Sequence, residues 1–354
     1  MVMSDTMELG LSYDDVLLVP QKSPVESRSN IDTTTEIVPG VEVEYPLISS
    51  NMDTVTEKEM AQGIADVGGC GIVHRFMSMD EQVEHISSVD GVVGGCVGID
   101  EDFVSNGKRL VEAGADFITV DVAHGHMTQC LEAVADLDEQ LSVPIMAGNV
   151  ATGQGAKDLI KAGADSIKVG VGPGAVCKTR EVAGVGVPQF TAVKNVVNAV
   201  ETMEQMGSQT QNVTVIADGG IKKSGDTIKA LMAGADAVMC GSLFGACSEA
   251  PGEVVEADGT KYKTYRGMAS EEAREDNPGS SDDSDEHRAV EGVEGLQEYA
   301  GPVSVVVREH MKGVRSGLSY CGGHSIEEAQ EYAQFVRVTN STINRNGSHG
   351  VLTD

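Results

Sequence analysis

A four-residue pattern, Ala-Gly-Ala-Asp, occurs three times in this chain, beginning at Ala113, Ala162 and Ala233. Each copy is followed directly by four mostly apolar residues. Glycine is the usual C-terminal cap of a helix, so each copy predicts a helix that ends and leads straight into a buried parallel strand. We interpret the three aspartates of the pattern as turn residues and not as catalytic acids.

Five further apolar segments have the length and setting of buried strands. They span residues 47–50, 71–74, 92–97, 144–147 and 213–217. With the three strands that follow the repeats they make eight, alternating with helical segments, which predicts a (β/α)8 TIM barrel of the α/β class. A doubly wound open sheet is the alternative. In a TIM barrel the catalytic residues lie at the carboxyl ends of the strands.

The balance of charges excludes several classes of partner. The 354 residues include 55 acidic and 25 basic ones, for a formal net charge of -30. This charge disfavours nucleic acid and anionic membrane surfaces, and it is typical of a halophilic protein in a salt-rich cytoplasm. Seven scattered cysteines without a Cys-x-x-Cys pair indicate a reducing compartment, with neither disulfides nor a zinc site. Without a signal peptide or a membrane-spanning segment, a cytoplasmic location is expected.

The segment after the sixth predicted strand is the strongest candidate for a catalytic loop. Three glycines flank Pro173 within residues 170–174, and Cys177 follows with a lysine and an arginine within three residues. Nearby positive charge favours a thiolate, which is the form a nucleophilic cysteine needs. A buried structural cysteine after a glycine-rich turn is the alternative, and the residues alone support both readings equally.

Polar or glycine residues follow most of the other predicted strands. Loops after the seventh and eighth strands of such barrels commonly bind a phosphate through backbone N–H groups, and the glycine-rich turns there suit that role. His124 and His126 lack further ligands at metal-site spacing, so we interpret them as loop or cofactor-contacting residues. The candidates at the strand ends are Asn51, Asp53, Asp121, His124, Asn149, Asp218, Gly219, Gly220, Gly241 and Ser242.

One region departs from the barrel pattern. Residues 270–287 are acidic, contain serine, glycine and proline, and have no apolar periodicity, which predicts a mobile excursion. Its place beyond the last strand favours an active-site flap, assigned to 270–300, and an inert surface loop is the alternative. We expect one catalytic domain over residues 1–354, without an inserted regulatory domain.

The chain resembles the IMP dehydrogenase/GMP reductase family over nearly its whole length. The resemblance implies a (β/α)8 barrel, commonly tetrameric, that binds a purine nucleotide and a nicotinamide cofactor. The motifs that carry it are Leu11–Pro20, Asn51–Val55, Ala147–Val150, the Gly-Pro-Gly…Cys loop, Gly184–Gln189, Asp218–Gly220, Tyr265–Met268 and Phe335–Thr339.

The resemblance also implies roles for single residues. Cys177 matches the nucleophile that attacks C2 of the purine and forms a thioimidate, Thr179 matches the residue that helps activate water or ammonia, and Glu291 matches the glutamate that works with it in deamination. Carbonyls of Gly172, Gly174 and Cys177 match a potassium site. Asp121, Asn149 and Gly170 fall on the cofactor side. The substrate-binding set is Ser50, Met52, Asp218, Gly220, Gly241, Ser242, Tyr265, Gly267, Met268 and Arg288.

The sequence gives mixed indications of which reaction is catalysed. Thr54–Glu57, Val182–Val187 and Val290–Gly295 are more similar to the dehydrogenases. Against that, the paired regulatory modules of most dehydrogenases are missing, and so is the flap's Arg-Tyr-Phe motif, whose arginine is the dehydrogenases' water-activating base. Positioned acid-base catalysis is worth roughly 100- to 10,000-fold in rate, so this loss weighs heavily. Arg288–Gly292 resembles the reductase motif.

We therefore predict an NADPH-dependent GMP reductase, with an NAD-dependent IMP dehydrogenase as the alternative. A homotetramer is implied by the resemblance. Asn344–His349 departs from the family at the acidic potassium ligand of many dehydrogenases, which puts potassium binding of their kind in doubt. A non-catalytic purine nucleotide sensor and a flavin-dependent barrel oxidoreductase are the remaining alternatives, although the cysteine and threonine argue against the sensor.

Overall fold

A computed structural model describes residues 7–99, 102–207, 212–276 and 289–343. Besides two 3-10 turns at Tyr13–Asp15 and Arg28–Asn30, these residues form strands and α-helices. The strands are β1 (Val16–Leu18), β2 (Thr35–Val38), β3 (Val41–Val43), β4 (Leu47–Ser49), β5 (Cys70–Val73), β6 (Val93–Val97), β7 (Phe117–Asp121), β8 (Ile145–Val150), β9 (Ser166–Val169), β10 (Thr214–Asp218), β11 (Ala237–Cys240), β12 (Val254–Ala257), β13 (Thr260–Arg266), β14 (Glu294–Glu298) and β15 (Phe335–Arg337).

The helices are short and mostly amphipathic, as the sequence predicts for the outer layer of a barrel. They are α1 (Lys58–Ala65), α2 (Met79–Ser87), α3 (Phe103–Glu112), α4 (Thr128–Gln140), α5 (Gly153–Lys161), α6 (Thr179–Val182), α7 (Gln189–Gln205), α8 (Ser224–Met232), α9 (Ser242–Gly245), α10 (Glu271–Asp276), α11 (Val303–Cys321), α12 (Ile326–Tyr332) and α13 (Asn340–Ile343). Within the described residues, no helix is long and apolar enough to cross a membrane.

Strands β4 to β11 pair in parallel in sequence order and close into a barrel, where Val238 of β11 lies opposite Leu47 of β4. This confirms the predicted (β/α)8 barrel and rules out the open sheet. Side chains alternate along each strand: Leu47 packs outward in the large cluster shared with the helices, whereas Ile48 packs inside the barrel. The β2–β3 hairpin contributes Ile37 to the interior cluster.

The three Ala-Gly-Ala-Asp repeats have one structure. Their glycines all adopt left-handed φ values, between 103° and 107°, at the end of a helix. The aspartate two residues after each glycine accepts a hydrogen bond from a backbone N–H at the start of a neighbouring strand: Asp116 from Val93, the first residue of β6, at 2.9 Å, Asp165 from Ile145, the first of β8, at 2.8 Å, and Asp236 from Val215, the second of β10, at 2.6 Å. The structure confirms that these aspartates are turn residues.

A three-stranded antiparallel sheet, β12–β13–β14, follows the eighth barrel strand and was not predicted. It includes part of the predicted flap, because β14 lies within 270–300, as does α10. Residues 277–288, with most of the acidic run, lie outside the described residues. The mobility of the flap therefore stays a prediction.

Candidate active site

A cavity of about 280 Å³ opens at the carboxyl ends of the barrel strands. Most of the site residues predicted from the sequence line it, from seven separate segments of the chain. These are Ser50, Met52, Asp121, Asn149, Gly170, Gly172, Gly174, Cys177, Thr179, Asp218, Tyr265, Gly267, Met268 and Glu291. The strand-end candidates Asn51 and Gly219 line it as well. Among the predicted residues, Asp53, His124, Gly220, Gly241 and Ser242 are described but do not line this cavity, and Arg288 lies outside the described residues.

Cys177 differs from the other six cysteines in its environment. It is only partly buried and lies at the cavity wall, whereas the other six are buried. Burial raises the pKa of each of those six thiols, which makes them poor nucleophiles. The Cys177 Sγ lies 3.2 Å from the Thr179 Oγ1. Cys177 is therefore the thiol that can react with a ligand in the cavity.

The two cations near Cys177 do not act alike. Lys178 is exposed, whereas Arg180 donates hydrogen bonds to the carbonyl oxygens of Val171, at 3.3 Å, and Val187, at 2.7 Å. These bonds tie together the two ends of the loop that carries the cysteine. We conclude that Arg180 braces the backbone of this loop.

Glu291 reaches the cavity on a short extended segment that pairs with the cysteine loop. Cys177 and Gly292 form an antiparallel bridge, in which the Lys178 N–H donates to the Glu291 carbonyl at 2.6 Å. On its other side, the Glu291 N–H donates to the Ala269 carbonyl at 3.2 Å. These backbone bonds bring a carboxylate to the same cavity as the thiol and the threonine hydroxyl.

A buried charge cluster forms the opposite wall. Lys168, which is 1% exposed, lies 2.5 Å from an Asp121 oxygen and 3.6 Å from an Asp218 oxygen. Burial alone would lower the Lys168 pKa, but the two carboxylates outweigh it and raise the pKa, so the lysine is charged. For Asp121 burial is likewise outweighed, and Lys168 lowers the carboxyl pKa. For Asp218 burial prevails and raises the pKa, although Asn149 donates to its carboxylate at 2.8 Å.

Lys168 was not among the predicted site residues, yet a signal was present. It is the one charged residue in the segment Ser166–Val169, which is otherwise predicted as buried strand. A lysine is almost never fully buried unless it is paired, so its presence there predicts a carboxylate partner at a strand end. Gln189 was also missed: its amide donates to the carbonyls of Val169, at 2.6 Å, and Asp218, at 3.0 Å.

Gly170 lies where β9 and β10 end side by side. Its φ is 156°, and a Cβ there would overlap the carbonyl oxygen of Asp218. Only glycine permits this close approach. The predicted cofactor-side residue thus has a structural reason to be glycine.

The phosphate-binding prediction concerns the ends of β10 and β11. The ring of Tyr265 lies against this turn, because a Cβ at Gly241 would be 2.5 Å from its hydroxyl oxygen and one at Gly245 would be 2.7 Å from its ring. The Gln297 amide donates to the Ser242 carbonyl at 2.6 Å, so the antiparallel sheet holds the turn in place. Phosphate contacts at Gly220, Gly241 and Ser242 stay a prediction.

Arg75 and Phe76, directly after β5, line the cavity near Asp121 and Asn149. The Arg75 guanidinium lies 4.7 Å from the centre of the Phe76 ring, and its Nε is buried without a hydrogen-bond partner among the described residues. A guanidinium beside an aromatic ring at the cavity wall fits a ligand with phosphate or carboxamide groups, as a nicotinamide nucleotide has. Arg75 was missed from the sequence, although its place after a strand is a signal.

The described residues contain no group of three or more His, Cys, Asp or Glu side chains that could hold a metal ion. His126 lies outside the cavity lining, and its Nε2 is 3.0 Å from an Asp158 carboxylate oxygen. The predicted potassium ligands are oxygens of another kind, the carbonyls of Gly172, Gly174 and Cys177, and the Gly174 carbonyl accepts the Cys177 N–H at 3.2 Å. Potassium binding stays a prediction.

Comparison with known proteins identifies the family. A family model described as the IMP dehydrogenase / GMP reductase domain matches residues 10–349. The chain belongs to this family. Its members are oxidoreductases that act on purine nucleotides with NAD or NADP(H). This confirms the resemblance found in the sequence.

Some relatives of this chain are named dehydrogenases and others reductases. An inosine-5'-monophosphate dehydrogenase of Cryptosporidium parvum is 37% identical, over 97% of this chain and 95% of that protein. A GMP reductase of Leishmania donovani is 32% identical, over 98% of each. A solved structure of a Trypanosoma brucei GMP reductase variant in complex with guanosine 5'-monophosphate superposes with a TM-score of 0.91, at 32% identity over 99% of both chains.

The alignments also bear on the missing regulatory modules. The one with the Leishmania reductase spans 489 positions, and the one with the Cryptosporidium dehydrogenase spans 392. Both exceed the 354 residues of this chain, so a reductase as well as a dehydrogenase has segments without a counterpart here. The missing modules therefore do not distinguish a reductase from a dehydrogenase.

Proposed function

We propose that this protein catalyses the NADPH-dependent reductive deamination of GMP to IMP and ammonia. One observation carries the proposal: Glu291, on the segment paired with the cysteine loop, lines the same cavity as Cys177 and Thr179. A thiol, a hydroxyl and a carboxylate together supply the nucleophile and the proton transfer that deamination needs.

In this reaction the Cys177 thiolate forms a bond to C2 of guanine, and the electrons of the ring C=N bond move to the ring nitrogen. Thr179 and Glu291 deliver a proton to the exocyclic amine, which leaves as ammonia while the C=N bond re-forms as a thioimidate. The nicotinamide cofactor, when bound, supplies the hydride that reduces C2. The sulfur then leaves with its bonding electrons, which gives IMP and restores the thiolate.

The other predicted residues have supporting roles in this proposal. Asp218 binds the ribose hydroxyls, the turn residues Gly220, Gly241 and Ser242 with Tyr265 bind the phosphate, and Ser50, Met52, Gly267, Met268 and Arg288 complete the nucleotide pocket. Asp121, Asn149 and Gly170 face the cofactor, with Arg75 beside them, and potassium binds the carbonyls of the cysteine loop. A homotetramer is the proposed assembly, since the family resemblance implies it.

IMP dehydrogenase is the second candidate, because the chain is 37% identical to a dehydrogenase of the family and the same side chains suit its chemistry. The Thr179 hydroxyl and the Glu291 carboxylate line the cavity together, so they could activate water as readily as ammonia. The product would then be XMP, with NAD as the hydride acceptor. The flap sequence argues against a dehydrogenase, because it lacks the arginine that serves the dehydrogenases as base.

The deciding experiment follows nicotinamide absorbance in molar potassium chloride, with GMP plus NADPH and with IMP plus NAD. We expect GMP-dependent NADPH consumption with ammonia release. Cys177→Ala should abolish it, and Glu291→Gln should slow it by roughly 100- to 10,000-fold. The matched control Glu298→Gln, at the exposed end of β14, should retain activity. Sustained NADH formation from IMP, without GMP turnover, would instead establish the dehydrogenase.

A further inference from the structure

Arg266 lies next to the cavity but does not line it. It is the last residue of β13, between Tyr265 and Gly267, which do line the cavity. Its side chain is only 12% exposed. Three carboxylates surround its guanidinium, from Asp53, Asp276 and Glu294. We call these four residues the Arg266 cluster.

The strongest contact in the cluster is with Asp53. The Arg266 Nε and Nη2 donate to the same carboxylate oxygen, at 2.9 and 2.5 Å. Asp53 is 8% exposed, and a buried carboxylate is costly unless it is paired. The chain therefore keeps Arg266 and Asp53 together, and a lysine could not reproduce the planar fork.

The other two carboxylates stand at the ends of the segment that carries Glu291. Asp276 is the last residue of α10, and the Arg266 Nη1 donates to it at 2.6 Å. Glu294 is the first residue of β14, lies opposite Arg266 in the sheet, and is 3.5 Å from its guanidinium. One partly buried cation thus contacts both the last residue of α10 and the first residue of β14.

A short chain of backbone bonds leads from the cluster to Glu291. Next to Glu294, Val293 donates its N–H to the Val176 carbonyl at 3.1 Å, and its own carbonyl accepts the Gly267 N–H at 3.1 Å. Two residues further back, Glu291 bonds the cysteine loop and Ala269. Because residues 291–294 are hydrogen-bonded to the segments on both sides, a displacement of Glu294 would also displace Glu291.

The loop after β4, residues 50–54, also contacts the Arg266 cluster. We call it the nucleotide loop. The Arg266 N–H donates to the Thr54 Oγ1 at 3.2 Å, and the Asp53 N–H contacts the Met268 Sδ at 3.4 Å. Met52 and Met268 of these two segments line the cavity. The cluster therefore joins the nucleotide loop, the antiparallel sheet and the segment of Glu291.

We infer that Arg266 is a positioning residue, whose ion pairs hold residues 289–294 against the cysteine loop and so set the distance between the Glu291 carboxylate and Cys177. The inference rests on the proposed function in that it takes Glu291 as the acid-base residue. Arg266 itself does not line the cavity.

The test compares Arg266→Lys with Arg109→Lys, because Arg109 forms an exposed ion pair with Asp80 and neither residue lines the cavity. We expect Arg266→Lys to lower kcat about 100-fold, the effect of a misplacement near 1 Å, with little change in the KM for GMP. Asp276→Asn removes only the ion pair between Arg266 and an exposed carboxylate, so it should lower kcat at most about fivefold. Arg109→Lys should have no effect.

A double variant separates positioning from general stability. In the Glu291→Gln background, Arg266→Lys should cost almost nothing further in kcat, because both changes act through the same group. A fully additive loss, a loss confined to KM, or an unchanged kcat would each overturn the inference.

A second readout does not depend on turnover. Iodoacetamide should alkylate Cys177, the one cysteine of seven that is not buried. Arg266→Lys should raise that rate several-fold, because residues 289–294 no longer cover the cysteine loop, and an unchanged rate would refute the inference. If the wild-type protein does not turn over GMP, the proposed function fails while this measurement still decides the role of Arg266.

Discussion

Strand β7 has an aspartate at each end, and the two serve opposite purposes. Asp116 precedes the strand at the amino end of the barrel, where its carboxylate accepts the Val93 N–H at 2.9 Å. Asp121 ends the strand at the cavity, where its carboxylate pairs with buried Lys168 at 2.5 Å. The partner, backbone amide or side-chain cation, decides whether the same residue type supports the fold or the site.

The difference extends around the barrel. At the amino end each repeat aspartate bonds the backbone of a neighbouring strand, so its contribution is local and separate from the others. At the carboxyl end Asp121 and Asp218 share one lysine, and Asn149 bonds the second of them. Such a shared network couples its members, and changes in it are expected to be non-additive.

The largest expected effect is a loss of kcat/KM that distinguishes the aspartates at the two ends of β7. Asp121→Asn removes the closest counter-charge of a lysine that is 1% exposed, which leaves Lys168 with Asp218 alone, at 3.6 Å. A lysine drawn toward Asp218 would disturb the cavity wall, so we expect kcat/KM to fall by about 100-fold. Asp116→Asn keeps an oxygen acceptor for Val93 and should change kcat/KM by no more than about twofold. Equal losses in steady-state assays of the two variants would break the comparison.

The second effect concerns pH. Burial, the main cause, raises the pKa of Asp236 from its ordinary 3.8 to about 7. From about pH 4 to about pH 7 the folded protein therefore holds a proton that the unfolded chain has lost, so the free energy of unfolding falls as pH rises. Asp236→Asn cannot ionise, so its stability relative to the wild type should increase by about 2 to 3 kcal/mol between pH 5 and pH 8.

Urea unfolding of both proteins at the two pH values, in molar salt, measures this difference. Asp116→Asn provides the control, because it makes the equivalent change in another repeat. Parallel pH profiles for Asp236→Asn and the wild type would contradict the prediction.

The smallest expected effect is a change in the free energy of unfolding caused by the loss of one turn hydrogen bond. Asp165→Ala removes the acceptor of the Ile145 N–H and should lower the free energy of unfolding by about 1 kcal/mol, without a change in kcat. Asp165→Asn retains an acceptor and should recover most of that loss. A drop in kcat for the alanine variant, measured at a temperature where it remains folded, would show that the amino end is not independent of the site.

Much of the fold and part of the site could be predicted from local patterns. The repeats marked helix ends, and all eight barrel strands were found, although β8 extends to Val150 and so contains Asn149. The β12–β13–β14 sheet was not predicted, because β12 is exposed throughout and β14 is nearly so. Exposed strands have no apolar run that would reveal them in the sequence. The cysteine loop was found because its glycines and Cys177 are close together in the chain.

Contacts between distant segments were beyond local patterns. Arg266 and Asp53 are 213 residues apart, and Lys168 and Asp121 are 47 apart. Charged residues at such separations give no sign of their partners, since either could equally well face solvent. In the motif that carries Arg266, the sequence assigns roles to Tyr265, Gly267 and Met268 but none to Arg266.

The sequence by itself determined the barrel, its repeats and the place of the cysteine loop after the sixth strand, because period, glycine position and residue type are local properties of the chain. Only the tertiary structure decided which charges meet: that Lys168 is shared by Asp121 and Asp218, that Arg266 joins three carboxylates, and that Glu291 lies beside Cys177. The physical reason is that the strength of a charge pair depends on burial and on distances of a few ångströms, which only the closed barrel and the sheet beside it establish.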